Sequence, residues 1–177
     1  MKKNTKVVVP GRFSFANIWE PKSINGSDPK YSISLIIPKS NKKTVAAIKK
    51  AIEEAKKEGM AKFGGKVPAN LKTPLRDGDV DRADDPNYND CYFINANSKT
   101  APQIVDGKIQ PILERSEVYS GCFGKVSLNF YAFNTNGNRG IAAGLGNVQK
   151  LQDGEPLGGS SRAEDDFEIE EDDDFLQ

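Results

Sequence analysis

The chain of 177 residues contains no histidine. That removes the commonest general base and the commonest metal ligand. Two cysteines, Cys91 and Cys122, are too few for a four-ligand zinc site or a disulfide framework, and read as free thiols in a reducing compartment. No glycine-rich phosphate loop of the Walker type occurs, and no apolar run approaches the length needed to span a membrane. The amino-terminal stretch MKKNTKVVVP has too short an apolar run for a secretory signal, so the expected location is cytoplasmic. Asp77, Asp79 and Asp81 mimic the start of a calcium loop. Arg82 stands where such a loop needs glycine and Tyr88 where it needs glutamate, so a solvated turn is the better reading. No catalytic residue, metal or cofactor is expected.

What is present is charge, unevenly placed. Acidic and basic residues number 25 each, for a formal net charge of zero. Nine of the acidic residues fall in the last fourteen positions, EDDFEIEEDDDFLQ, which hold no basic residue. Without them, 16 acidic face 25 basic side chains, a net charge of about +9. A basic body joined to an acidic tail points to nucleic acid as the partner of the body. The tail then competes for the same surface or serves other proteins.

Three segments follow: a body over residues 1–152, a linker over 153–163 rich in Gly and Pro, and the tail over 164–177, too poor in apolar residues to order itself. Within the body, strand patterning covers residues 7–19, with a break at Pro10-Gly11, and residues 30–37. In the first, Phe13 and Phe15 share a face by alternation. Phe15 and Tyr31 are expected in the core. In the second, Ser32 and Ser34 face away from it. Residues 42–58 read as a helix capped by Ser40 or Asn41, with Val45, Ile48, Ile52 and Ala55 on its buried stripe and lysines opposite. Residues 59–90 read as long loops with a short helix near Ala61. A strand begins at Cys91, residues 103–112 suggest a hairpin around Asp106-Gly107, and residues 121–134 and 140–151 form the last two strands. The fold class is mainly β: an OB-type Greek-key barrel with one main α-helix between strands, long loops and a disordered acidic tail. An α+β sandwich is the alternative.

The strand at 121–134 carries the sharpest functional signal. Cys122, Val126, Leu128, Phe130 and Ala132 alternate with Phe123, Lys125, Tyr131 and Phe133. A strand facing only water seldom displays three aromatics. One that stacks unpaired bases does, because every base has a π-face and lysine serves the phosphates. Burial of both faces is the competing explanation. Trp19, Arg12, Tyr119 and Arg139 complete the candidate contacts. Arg76, Arg82 and Arg115 are further scattered cations, and Lys2, Lys3 and Lys6 cluster near Arg12.

The segments KYSISLIIPK (30–39), PLRDGD (74–79), INANS (94–98), VYSGC (118–122) and DGEPLGG (153–159), together with the acidic tail, resemble those of a bacteriophage single-stranded-DNA-binding protein family. The resemblance spans most of the chain. It implies an OB fold, cooperative or non-specific binding of single-stranded DNA (ssDNA), and a role in phage DNA replication or recombination, where the protein protects the single strand. The tail is then read as repelling DNA, which lowers non-productive binding, and as recruiting replication or recombination proteins. The tail residues expected to recruit them are Phe167, Asp172, Asp173, Asp174 and Phe175. Tails of this kind often end on the aromatic, whereas here Leu176 and Gln177 follow Phe175. Self-association is compatible with this reading; a membrane partner is not expected. The rival functions are a protein-interaction or virion-assembly module that docks through its acidic tail, and a nuclease or recombinase accessory subunit.

Overall fold

The computed structural model describes residues 5–23, 26–68, 71–135 and 138–157. Seven strands form one sheet: β1 (Lys6–Lys22), β2 (Lys30–Pro38), β3 (Leu75–Asp77), β4 (Cys91–Ser98), β5 (Ile104–Val105), β6 (Phe123–Thr135) and β7 (Asn138–Gln152). Their spatial order is β3-β4-β2-β1-β6-β7-β5. A parallel pairing of β4 with β7, through Ala96 with Ala143 and Asn97 with Gly144, returns the sheet upon itself. The closed unit is a five-stranded barrel of β1, β2, β4, β7 and β6. The fold is the OB-type barrel, mainly β with one main helix.

Alternation builds most of the interior. Val9 and Phe13 of β1, Ile33, Leu35 and Ile37 of β2, Ile94 of β4, and Val126, Leu128 and Phe130 of β6 are all at most 2% exposed. Helix α1 (Lys42–Glu58) packs Val45, Ile48, Ala51, Ile52 and Ala55 onto this core, nearest β6 and β1. Asn41 caps it, its side chain accepting from the Thr44 N–H, and Gly59 stops it. Ala132 lies so close to Gly59 that a Cβ there has no room. That contact sets how tightly the helix end meets β6.

Three expectations change. The chain does not break at Pro10-Gly11: Pro10 pairs with Lys125 and Gly11 with Gly124 inside β1. Pairing with β2 begins only at Arg12, so the missing proline N–H costs the β2 ladder nothing. The second correction concerns β2, which is covered on both faces. Ser34 and Ile36 are as buried as the inward residues because the stretch before β4 folds over them. Third, that stretch is not loop throughout. The 3-10 turn at Met60–Phe63 lies where a short helix is expected, and the stretch also holds β3, a one-turn helix α2 (Gly78–Asp81) and a 3-10 turn at Pro86–Tyr88. The residues around Asp106 form the expected hairpin, with Ile112 N–H donating to Ile104 O and Asp106 accepting from Lys108 and Gln110 N–H groups.

Candidate nucleic-acid interface

β6 presents its outer face by simple alternation. Phe123 and Tyr131 are each 40% exposed, Lys125 is exposed and Phe133 half-buried. Ser127 and Asn129 between them serve the fold: Ser127 Oγ accepts from Asn147 N–H, and Asn129 Oδ1 accepts from Thr5 Oγ1. The rings of Tyr131 and Phe133 lie over β7 glycines. A Cβ on Gly144 would come 3.7 Å from Tyr131 Cε1, and one on Gly140 would come 2.9 Å from Phe133 Cε1. Glycine at these two positions gives the rings a flat floor.

The candidate residues do not gather at one point. Phe123 and Tyr131 are eight residues apart on one strand, about 26 Å. At the first end, Arg12 pairs with Phe123 across β1 and β6 and lays its guanidinium 5.4 Å from the ring centroid. Tyr119 belongs to this end as well, through the linker described below. At the other end stand Tyr131, Phe133 and the exposed Arg139, which pairs with Asn134. Lys125 lies between, bordering a shallow groove with Lys6, Val8 and Ile109. Trp19 is elsewhere: half-buried, its Nε1–H donates to Val118 O beside Ile18, Ile104 and Ile112. Of the scattered cations, Arg76 pairs with Asp81 and Arg115 with Glu20.

A groove of about 440 Å³ crosses the barrel's outer face at the Phe123 end. It runs from Ile36 and Pro38 on β2, over Pro10, Gly11 and Arg12 on β1, to Phe123 on β6 and Leu151 on β7. Gly11 is required by the close approach of β1 to β2: a Cβ would sit 2.6 Å from Ile36 O.

The first residues after β7 lie against this same end. Arg12 donates from Nε to Gly121 O and from Nη2 to Glu155 O at 2.7 Å. The Tyr119 hydroxyl donates to Gly154 O and accepts from Gly154 N–H. Leu157 N–H donates to Ser120 O, and the Leu157 side chain packs against the Ile36, Tyr88 and Phe93 cluster. Lys150 fixes the start of the segment. It holds the Asp153 carboxyl below its usual range, and Asp153 in turn raises the Lys150 ammonium. Residues 153–157 of the expected linker therefore have defined contacts on the body. Residues 158–163 and the whole tail, with Phe167, Asp172, Asp173, Asp174 and Phe175, lie outside the described residues.

Sequence reasoning misplaced one residue here and left another, Arg82, among the scattered cations with no partner assigned. Phe15 is 56% exposed rather than part of the core, and the Arg82 guanidinium lies 5.2 Å from its ring centroid. Alternation misplaces Phe15 because the register between β1 and β2 slips between Ser14 and Asn17. No spacing in the sequence announces that slip.

The carboxylates of the calcium-like run are all engaged within the protein. Lys39 binds both Asp77 and Asp79 at 2.8 Å, and Asp81 takes Arg76. The Lys39 ammonium is raised by these two hydrogen-bonded carboxylates, and Asp79 is lowered by Lys39 and by the Asp90 N–H. Burial raises both thiols, Cys91 and Cys122, away from reactivity. No helix among the described residues is long and apolar enough to cross a membrane.

Comparison with known proteins decides the family. Residues 5–176 match the family model described as Enterobacter phage Enc34, ssDNA-binding protein. The chain belongs to that family. "Putative protein p50" of Acyrthosiphon pisum secondary endosymbiont phage 1 is 28% identical over 180 residues, covering 93% of this chain and 95% of that protein. Among solved structures, the single-stranded DNA-binding protein from bacteriophage Enc34 in complex with ssDNA is 28% identical. It covers 88% of this chain and 91% of its own, with a TM-score of 0.75. A single-stranded DNA-binding protein encoded by bacteriophage T7, gp2.5, shares 17% identity and a TM-score of 0.57 over 94% of this chain and 97% of its own. That last likeness concerns the fold alone. The Enc34 family is one of binding proteins, a non-enzymatic role.

Proposed function

We propose that this protein binds single-stranded DNA without sequence preference, stacking bases on exposed aromatic rings and holding phosphates with Lys and Arg. Membership of the phage ssDNA-binding family carries the reading. The exposed rings of Phe123 and Tyr131, with Lys125 between them, support it chemically, since a duplex offers no free base face to such a surface. The body spans residues 1–152, and its role is to protect exposed single strands during phage replication or recombination in the host cytoplasm.

The acidic tail acts as a brake and as a handle for replication or recombination proteins. Nine negative charges tethered to a body of about +9 stay at an effective concentration in the millimolar range. Support comes from where the tail is led: residues 153–157 already engage Arg12, beside Phe123.

The test is a fluorescence titration of the full chain with oligo-dT and with a hairpin duplex of equal length, at two salt concentrations. Oligo-dT should bind more tightly, with a log K versus log salt slope of about −0.7 per phosphate neutralised. Equal affinity for the duplex would overturn base stacking as the basis of binding.

A further inference from the structure

Phe15 is an exposed ring held in a strained backbone. Its φ is +45°, a region that bulky L-residues rarely enter because Cβ crowds the carbonyl. Strain of this kind persists only where the surroundings enforce it, and it concentrates at ligand contacts. Here residues 75–90 do the enforcing. Lys39 anchors them through Asp77 and Asp79. Tyr88 is buried against β1 and β2, donating to Ser14 Oγ and meeting Phe93 edge-on at 5.1 Å. Arg82 lies over all three rings, 5.2 Å from Phe15, 5.7 Å from Tyr88 and 5.8 Å from Phe93.

The guanidinium of Arg82 differs from those of Arg12, Arg76 and Arg115. Arg12 spends its N–H groups on Gly121 and Glu155, Arg76 on Asp81 and Arg115 on Glu20. Among the described residues Arg82's guanidinium makes ring contacts and neither a hydrogen bond nor an ion pair. A guanidinium held among aromatic rings with its N–H groups unpaired is preorganised for a phosphate oxygen.

We propose that Phe15 and Arg82 form a second stacking station for single-stranded DNA, Phe15 taking a base and Arg82 the adjoining phosphate. The inference rests on the ssDNA-binding function proposed above. The station is continuous with the first. Phe15 is three residues along β1 from Arg12, about 10 Å, and Ile36 both lines the groove and packs with Tyr88 and Phe93. Asp84 and Asp85 share the Arg82 loop, so the surroundings are not broadly cationic. Stacking therefore dominates over counterion release at this station.

The experiment uses the full chain and fluorescein-labelled oligo-dT, with Phe15→Ala, Phe15→Trp and Arg82→Ala. Phe15→Ala should weaken binding roughly 5- to 150-fold with an unchanged salt slope. Arg82→Ala should weaken it and make the slope shallower by about 0.7. In Phe15→Trp, oligo-dT should quench tryptophan emission beyond any change in the parent, whose single Trp19 is half-buried on Val118. A folded, DNA-binding Phe15→Trp protein with no added quenching overturns the inference, whatever the alanine variants do, and leaves the proposed function standing. A parent chain that fails to bind oligo-dT removes both. If Phe15→Ala does not fold, the quenching measurement decides alone.

Discussion

β1 and β6 are antiparallel neighbours over seven residue pairs, from Lys6 with Asn129 to Arg12 with Phe123, yet they expose their aromatics by different means. β6 keeps strict alternation, and Phe123 and Tyr131 face outward because Cys122, Val126, Phe130 and Ala132 face inward. Nothing in the backbone is strained to achieve it. β1 alternates as far as Phe13, then slips register and turns Phe15 out at positive φ. An outward ring on β6 is a by-product of the core, whereas the one on β1 is held against the local preference of the chain. The lesson is that a ring displayed by alternation can be lost without disturbing the fold, while one displayed by a bulge depends on the loop packed over it.

The largest effect expected from this comparison is on stability. Phe13→Ala should cost about 3–5 kcal/mol, because the ring is fully buried and contacts the space left by Gly124. Phe15→Ala should shift the melting temperature little. Thermal melts of the two variants side by side would break the contrast if both lost several kcal/mol.

Next come the rings of β6 in binding. Phe123→Ala and Tyr131→Ala should each cost about 1–3 kcal/mol of oligo-dT affinity. At about 26 Å apart the two losses should add to within about 0.5 kcal/mol. Should Tyr131→Ala bind a long oligo-dT like the parent, the DNA path is confined to the Arg12 and Phe123 end.

A smaller, salt-dependent effect is expected from the tail. Removal of residues 164–177 should tighten ssDNA binding most at low salt, and the gap to the full chain should close as salt rises. Unchanged or weaker affinity after truncation, measured at low salt, would remove the brake and leave the tail as a docking element. Phe167 and Phe175 should matter for partner proteins more than for the brake, since a protein pocket needs an apolar anchor.

The smallest effect concerns the loop that carries Arg82. Asp79 is held below the ordinary carboxylate range by Lys39, then by the Asp90 N–H. A lowered carboxyl contributes stability above its unfolded pKa and loses it as pH falls through the folded value. Amide-exchange protection of the Asp90 N–H, which donates to Asp79 Oδ1, should therefore hold near neutrality and fade at strongly acidic pH. Protection unchanged by Asp79→Asn would show that the pair does not tether the loop.

Much of this protein is determined by local pattern. Helix α1 lies where the stripe of Val45, Ile48, Ile52 and Ala55 requires it, and Asn41 caps it by side-chain chemistry that needs no tertiary context. The inward and outward sets of β6 follow from period two alone. So does the contrast between a basic body and an acidic end, which is arithmetic on the chain. Tertiary structure decided what depends on partners distant in sequence. Ile36 and Ser34 are buried because Tyr88, from the stretch before β4, closes over them, with Phe93 paired beside Ile36 on β4. Trp19 is committed to Val118, and Arg12 to Glu155, by contacts no spacing encodes. Phe15 is the clearest case. Its alternation partner Phe13 sits at the core, but a register slip between two strands and a guanidinium from another loop determine which way the ring points. A slip of register is a compromise between strands, so it has no signature in either strand by itself.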